Sequence, residues 1–159
     1  MGRRTGANFS GVEDFEALWP KFDISYEREY INSRGVWRHK EGTAQESLMS
    51  TELLTNNSDI YKDSAYSLYL DGVNQYEKIV NPDNPEGCRM LMIRDSYFSP
   101  VMVFLAPVCS EIEALWLLDE PMQIDAETYI DDHDYDYIIV EVYPYNIKED
   151  AFCFFEAED

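Results

Sequence analysis

Basic residues are scarce in this sequence. Only 12 Lys and Arg stand against 32 Asp and Glu in 159 residues, a formal net charge of −20. No basic patch can dominate such a field, which excludes a nucleic-acid partner held by phosphate contacts. An anionic membrane surface is disfavoured for the same reason. Long apolar runs are missing too: no stretch approaches the roughly 18 residues of a membrane-spanning helix. The opening MGRRTGANFSG carries no apolar h-region, so no signal peptide is expected. The three cysteines, Cys88, Cys109 and Cys153, form no CxxC pair, which excludes a zinc ribbon or thioredoxin-like motif. At most one disulfide can form, and buried free thiols are expected. Seven Gly and seven Pro are too few for a low-complexity linker. Histidine is limited to His39 and His133, and no cofactor motif is present.

Apolar side chains are plentiful. Hydrophobic residues make up 45% and aromatics 14%, including 12 Tyr, which is enough for the core of one domain but hardly for two. Residues 1–57 read as a β-rich segment packed on the rest. Phe15 to Trp19 alternates as a half-buried strand does, and Pro20 ends it. Tyr26–Ile31 and Val36–His39 flank Asn32-Ser33-Arg34-Gly35, a hairpin signal. Glu46–Leu54 is open between a third strand and a short helix.

Residues 58–159 are written differently, as the α/β portion of one structural unit. Tyr61–Leu70 reads as a short helix or turn ending at Asp71-Gly72, and Tyr76–Val80 as a strand. Residues 81–87, with two prolines, are a loop. A βαβαβ rhythm follows: strand Met90–Ile93, helix Ser99–Val108, strand Ile112–Leu118, helix Ile124–Ile130 and strand Tyr137–Val142. Such alternation predicts a mostly parallel sheet covered on both faces. The aromatic tail Ala151–Phe155 reads as a last strand or docking segment. Acidic residues concentrate late, with 16 Asp or Glu and one Lys between 111 and 159. The run Asp131–Asp136 reads as a solvated turn. A calcium loop of the EF-hand type needs a central Gly and a Glu at its twelfth position, and this run has neither.

The segment that points to chemistry is Met90-Leu91-Met92-Ile93-Arg94-Asp95-Ser96-Tyr97, an apolar strand ending in Asp-Ser ahead of a helix with Pro100 near its start. In open α/β sheets the carboxyl ends of strands present ligands and nucleophiles. A serine there is a nucleophile only if a base takes its proton, and otherwise the pattern is a helix cap. Tyr143-Pro144-Tyr145-Asn146 follows a strand at the same end, so Tyr143 and Tyr145, with Arg94 and Tyr97, are candidate cleft residues. Trp19, Trp37 and Trp116 offer stacking faces for sugars, against ordinary core packing.

The run Gly87-Cys88-Arg89-Met90 through Ile93-Arg94-Asp95-Ser96-Tyr97, then Phe104-Leu105 and Ser110-Glu111-Ile112, resembles the C-terminal part of the DHHW proteins. These are SGNH-hydrolase-like relatives of the alginate O-acetyltransferases. Residues Gly2–Gly6, Gly11–Phe15, Pro20–Asp23, Asp71-Gly72 and Val80-Asn81-Pro82 extend the resemblance in the same order. It implies a partial SGNH-like three-layer α/β/α fold, acting on acetyl or other acyl esters of surface polysaccharide outside the cytoplasm. Ser96 would be the nucleophile and Asp95 its motif neighbour. The Ser96 N–H and, by position in the SGNH plan, Gly72 and Asn81 would bind the oxyanion.

The sequence departs from the family in carrying no Asp-x-His-Trp motif, the family's source of the catalytic His and Asp. Trp116-Leu117-Leu118 replaces a family Asp-Leu-Arg. His39 and His133 match no catalytic position. The expectation is therefore a C-terminal portion, through truncation or gene splitting, or a degenerate relative, with little esterase activity alone. A partner chain would supply the missing His and Asp. A non-catalytic saccharide-binding module and a small acidic interaction or inhibitor protein are the competing readings, the latter drawing on the net charge.

Overall fold

The computed structural model describes residues 17–55, 65–116 and 126–144. Strand β1 (Ser25–Asn32) alternates strictly: Tyr26, Arg28 and Tyr30 point inward, while Glu27 and Glu29 face solvent. It turns back into β2 (Trp37–Thr43) as the sequence predicts. Asn32 closes that turn, its Oδ1 accepting the N–H groups of Arg34 at 2.9 Å and Val36 at 3.1 Å.

The ambiguous segment after β2 forms two single-turn helices, α1 (Ala44–Ser47) and α2 (Glu52–Thr55), not a third strand. The Glu46 carboxylate accepts the Thr43 N–H at 2.9 Å, which satisfies a donor at the start of α1 and favours helix over strand. The strand expected over Phe15–Trp19 is not formed in its described part: Ala17–Ile24 is irregular, with Ala17, Trp19 and Ile24 packed on the core. Phe15 and Glu16 lie outside the described residues, as do Cys153 and the tail Ala151–Phe155.

A 3₁₀ turn (Ala65–Leu68) leads to β3 (Asn74–Val80), and β4 (Cys88–Arg94) follows the proline-containing loop. Gly87 in that loop lies so close to β5 that a Cβ there would meet the Ser110 nitrogen at 2.6 Å. A 3₁₀ turn (Ser96–Phe98) opens α3 (Ser99–Leu105); β5 (Cys109–Trp116), α4 (Ala126–Asp131) and β6 (Tyr137–Val140) complete the order.

The six strands form one sheet in the order β2-β1-β3-β5-β4-β6. Only the β5-β4-β6 portion is parallel; every other pairing is antiparallel. The sheet is therefore mixed, where the sequence reading expected a mostly parallel one. The βαβαβ rhythm describes only its last three strands. Of the others, β1 alternates inward Tyr26, Arg28 and Tyr30 with exposed Glu27 and Glu29, as an antiparallel strand with one wet face does.

Among the described residues helices lie on both faces but are short, so the fold is α/β and not clearly the three-layer SGNH-like sandwich that the sequence reading expected. On one face Met102, Val103 and Ala106 of the α3 region meet Met90, Met92, Ile112 and Ala114, together with Leu48, Met49 and Leu68. On the other, Tyr129 and Ile130 of α4 cover Leu91, Ile93 and Leu115. Strand β4 is buried on both faces, which explains its unbroken apolar run. Cys88 and Cys109 are register partners on β4 and β5, both free, with sulfurs 3.2 Å apart. Among the described residues no helix is long and apolar enough to cross a membrane.

Leu91 and Met92 are fully buried on opposite faces of β4. Leu91→Ala or Met92→Ala should each lower unfolding free energy by about 2–5 kcal/mol, because the deleted methylenes leave a cavity. Urea denaturation followed by tryptophan fluorescence measures this, and a loss under about 1 kcal/mol would show β4 to be peripheral.

Candidate active site

The carboxyl end of β4 is where the chain's path divides. From β4 it passes through α3 to β5 on one side, then through α4 to β6 on the other. A crevice opens at such a division because the two flanking connections leave in opposite directions. Asp95 and Ser96 stand there. Asp95 is extended and caps the following turn, its Oδ1 accepting the Tyr97 N–H at 2.9 Å. Its Oδ2 accepts the Tyr143 N–H, beyond β6, at 2.7 Å. Ser96 is the first residue of the turn and half-buried, and no described residue hydrogen-bonds its hydroxyl. The ring of Tyr97 stacks on that of Tyr143, centroids 4.7 Å apart and planes within 18°.

Glu141 follows β6 directly. Its N–H donates to the Ile93 carbonyl at 2.9 Å, and its carboxyl accepts the Asp95 N–H at 3.3 Å. Burial pushes the Glu141 carboxyl up to about 7, reinforced by a side-chain hydrogen bond with Asp95 and by that neighbour's charge. The Asp95 N–H and Arg94 act in the opposite direction.

Behind this edge lies a buried ion network. The Arg28 guanidinium, wholly buried, bonds Glu77 through Nε at 2.8 Å and Nη2 at 3.1 Å. It also bonds Asp71 at 2.7 Å and the carbonyls of Ser47 and Leu70. Arg94 approaches the same Glu77 at 3.7 Å and donates to its neighbour's carbonyl, Asp95 O, at 3.3 Å. Two guanidinium groups thus share one buried carboxylate. The Nε of Arg94 and the hydroxyl of Ser99, both buried, have no hydrogen-bond partner among the described residues. Burial lowers the proton affinity of Arg94, and Arg28 nearby adds to this against the pull of Glu77. Burial alone would raise Asp71, but Arg28 and the hydrogen bonds from Lys40 and Ser50 outweigh it and hold the carboxyl at about 2. Asp71 sits in a strained bend: Leu70 and Asp71 have φ of 52° and 55°, followed by Gly72 at 95°. The ionic ties of Asp71 hold that bend in place.

The other candidate residues are dispersed. Gly72 directs its N–H to the Tyr69 carbonyl at 3.0 Å, so that donor is already committed. Asn81 follows the last residue of β3, which runs opposite to β4, and so lies at the far edge of the sheet from Ser96. There its amide holds the Ala106 carbonyl at 3.1 Å. The structure therefore does not bring Asn81 to Ser96. Arg94, a candidate cleft residue, is buried and turned to Glu77. Tyr145 lies outside the described residues.

Neither histidine reaches Ser96. His39 lies on β2, four strand spacings from β4, about 19 Å. It sits 4.0 Å from Glu29 and 3.9 Å from Glu41 at the surface. His133 stacks between Tyr129 and Tyr135 near the amino end of β4. That end is fixed by Arg89, bonded to the Asp134 carbonyl at 2.6 Å, roughly 20 Å of extended strand from Asp95. Part of the acidic run thereby anchors β4: Asp136 Oδ2 accepts the Arg89 N–H at 2.8 Å. Among the described residues no group of three or more His, Cys, Asp or Glu is arranged to hold a metal. Sequence reasoning missed Glu141 and the Arg28–Glu77 pair. The available signal was parity: Arg28 alternates with Tyr26 and Tyr30, and Glu77 with Ile79, on inward positions.

No protein-family profile and no curated protein matches the chain. Solved structures do. The chain is similar to PatB1 of Bacillus cereus at a TM-score of 0.60 and 17% identity, over 80% of this chain and 38% of that one. It matches PatB1 with a sulfonyl adduct at 0.60 and 16%, over 80% and 40%. A DHHW family protein from Eubacterium siraeum DSM 15702 aligns at 0.48 and 18%, over 77% and 36%. The chain spans about two fifths of the length of these proteins, and the PatB1 likeness is one of fold.

Removing Glu77 strands two buried guanidinium groups. Glu77→Leu should cost about 3–5 kcal/mol, and the double variant Arg28→Met/Glu77→Leu less than the sum of the single changes. Denaturant titration of the four proteins tests this; strict additivity would show that the pair does not interact.

Proposed function

We propose that this chain is the nucleophile-bearing part of an acyl-ester enzyme in which Ser96 Oγ attacks the ester carbonyl. The observation that carries this reading is the setting of Ser96. Its hydroxyl is not tied down by any described residue, on a capped turn at the carboxyl end of β4, the strand that lies between β5 and β6. The fold likeness to a protein observed with a sulfonyl adduct supports it, because sulfonyl electrophiles trap activated nucleophiles. The substrates we propose are acetyl esters of surface polysaccharide. The enzyme is an O-acetyltransferase or acetylesterase of the DHHW and SGNH type, working outside the cytoplasm. Ser96 Oγ gives its proton to a base and bonds the acyl carbon, the donor ester's C–O bond breaks and its alcohol leaves with that proton, and a sugar hydroxyl or water then takes the acyl group and frees Ser96, with the Ser96 N–H as an oxyanion donor.

Deprotonating Ser96 needs a base, and both histidines are remote from it. We assign that base to a partner chain, so the chain alone is slow. A second reading, a saccharide-binding module of the same fold, draws on the stacked pair Tyr97 and Tyr143.

Fluorophosphonate labelling of the 159-residue chain, located by peptide mass spectrometry, tests the assignment. Labelling of Ser96 should be slow in buffer and accelerate at least about tenfold on adding imidazole as a surrogate base, with no such signal in Ser96→Ala. No labelling of folded protein under either condition rejects the nucleophile and favours the binding module. Fast labelling without imidazole keeps the nucleophile and rejects the absent base.

A further inference from the structure

The two cysteines among the described residues take no part in the site at Ser96. They open adjacent parallel strands: Cys88 is the first residue of β4 and Cys109 the first of β5. Both thiols are free, and their sulfurs lie 3.2 Å apart. Cys109 is buried in the core, and Cys88 packs against that core half-buried.

A break in register brings them together. Further along the strands Met90 pairs with Ile112 and Met92 with Ala114, and all four face the same core. Continued regularly, that register would set Cys88 against Ser110 and turn Cys109 to the opposite face. An irregularity between Cys88 and Arg89 sets Cys88 against Cys109 instead. The extra residue on β5 re-aims the Cys109 side chain toward the face that Cys88 shares. The backbones are also held in close approach there. A Cβ on Gly87 would meet the Cys109 carbonyl carbon at 2.8 Å, and Ser110 Oγ donates to the Cys88 carbonyl at 3.3 Å. Paired residues on neighbouring strands stand about 4.8 Å apart, inside the Cα range of about 4.4–6.8 Å that a disulfide spans.

We propose that Cys88 and Cys109 are a disulfide site, which a small-molecule disulfide oxidises, closing residues 88–109 into a ring that carries β4, the Ser96 turn and α3. Cys88 is the more accessible thiol and reacts first. Its thiolate attacks the external disulfide, one small thiol leaves and a mixed disulfide forms. Cys109 then loses its proton, and its sulfur displaces the second small thiol, which takes up a proton in turn. Two electrons pass from the protein's dithiol to the reagent, so one external disulfide becomes two thiols and one S–S bond joins the strands. The site is a property of the sheet and is independent of the nucleophile. Only the supply of oxidant outside the cytoplasm rests on the proposed function.

Incubating the natural 159-residue chain with oxidised glutathione, followed by alkylation and tryptic mass mapping, tests the site. Cleavage after Lys78, Arg89, Arg94 and Lys148 leaves Cys88, Cys109 and Cys153 on three different peptides. The peptides of Cys88 and Cys109 should be found linked, with Cys153 outside the link. In glutathione mixtures the equilibrium constant for forming the bridge should be about a hundredfold larger in folded protein than in urea. The thermal midpoint should rise by about 5 °C or more on oxidation, and Cys88→Ser should show no such rise. Four results overturn the proposal: both thiols alkylated in folded protein, glutathione retained on Cys88, a link that includes Cys153, or equal constants in buffer and urea. None of these readouts involves Ser96. An unlinked pair beside a labelled Ser96 rejects this inference alone, and a linked pair beside an inert Ser96 rejects only the nucleophile.

Discussion

Two guanidinium groups share one carboxylate inside this sheet, and the arrangement around them follows from that constraint. Glu77 on β3 meets Arg28 from β1 and Arg94 from β4, all three buried. A buried charge without a partner costs several kcal/mol, so the strands must stay in the register that keeps these groups together. A one-residue slip of β1 would turn Arg28 to the opposite face and leave Glu77 facing it empty-handed. The surplus positive charge is balanced from outside the sheet by Asp71, bonded to Arg28 and Lys40. That balance holds the left-handed bend at Leu70 and Asp71, of which Leu70 is poorly suited to it.

The same network supports the edge where Ser96 stands. Arg94 is the last residue of β4, and its guanidinium is buried; the next residue, Asp95, is buried as the cap, and Ser96 after it is half-buried. A rigid support beneath a partly accessible side chain is what presenting it requires. The Tyr97–Tyr143 stack and the Asp95 contacts connect this turn to the segment after β6, so both sides of the edge are tied together. The far edge is organised differently, by Asn81, Arg89 and Asp136, which close loops and carry no nucleophile.

In a chain of net charge −20 most of the described acidic residues are exposed, but the exceptions are informative. Glu113 is buried and takes hydrogen bonds from Lys78 at 2.8 Å and Tyr135 at 2.9 Å, and from Tyr129. Burial would raise it, and these donors outweigh burial and lower it. Glu141 accepts only a long hydrogen bond from the Asp95 N–H among those described, at 3.3 Å, and burial and the neighbouring Asp95 outweigh it, so its shift has the opposite sign. Identical side chains thus shift in opposite directions according to the donors and charges around them.

Local chemistry was legible in the sequence. The alternation of Tyr26 to Ile31, the Asn32–Gly35 turn, the apolar run Met90–Ile93 and the Asp95-Ser96 turn ahead of Pro100 depend on residues within a few positions of each other. Their structures therefore follow from strand pleat, turn geometry and capping. What only the tertiary structure decided are the pairings over distance. Arg28 and Glu77 are 49 residues apart, and Asp95 and Glu141 are 46 apart. The antiparallel contact of β3 with β5, which makes the sheet mixed, and the separation of both histidines from Ser96 are of the same kind. Periodicity specifies which face of an element is buried, but strand order and charge pairing are set by the free energy of the whole packed sheet, which no local window contains.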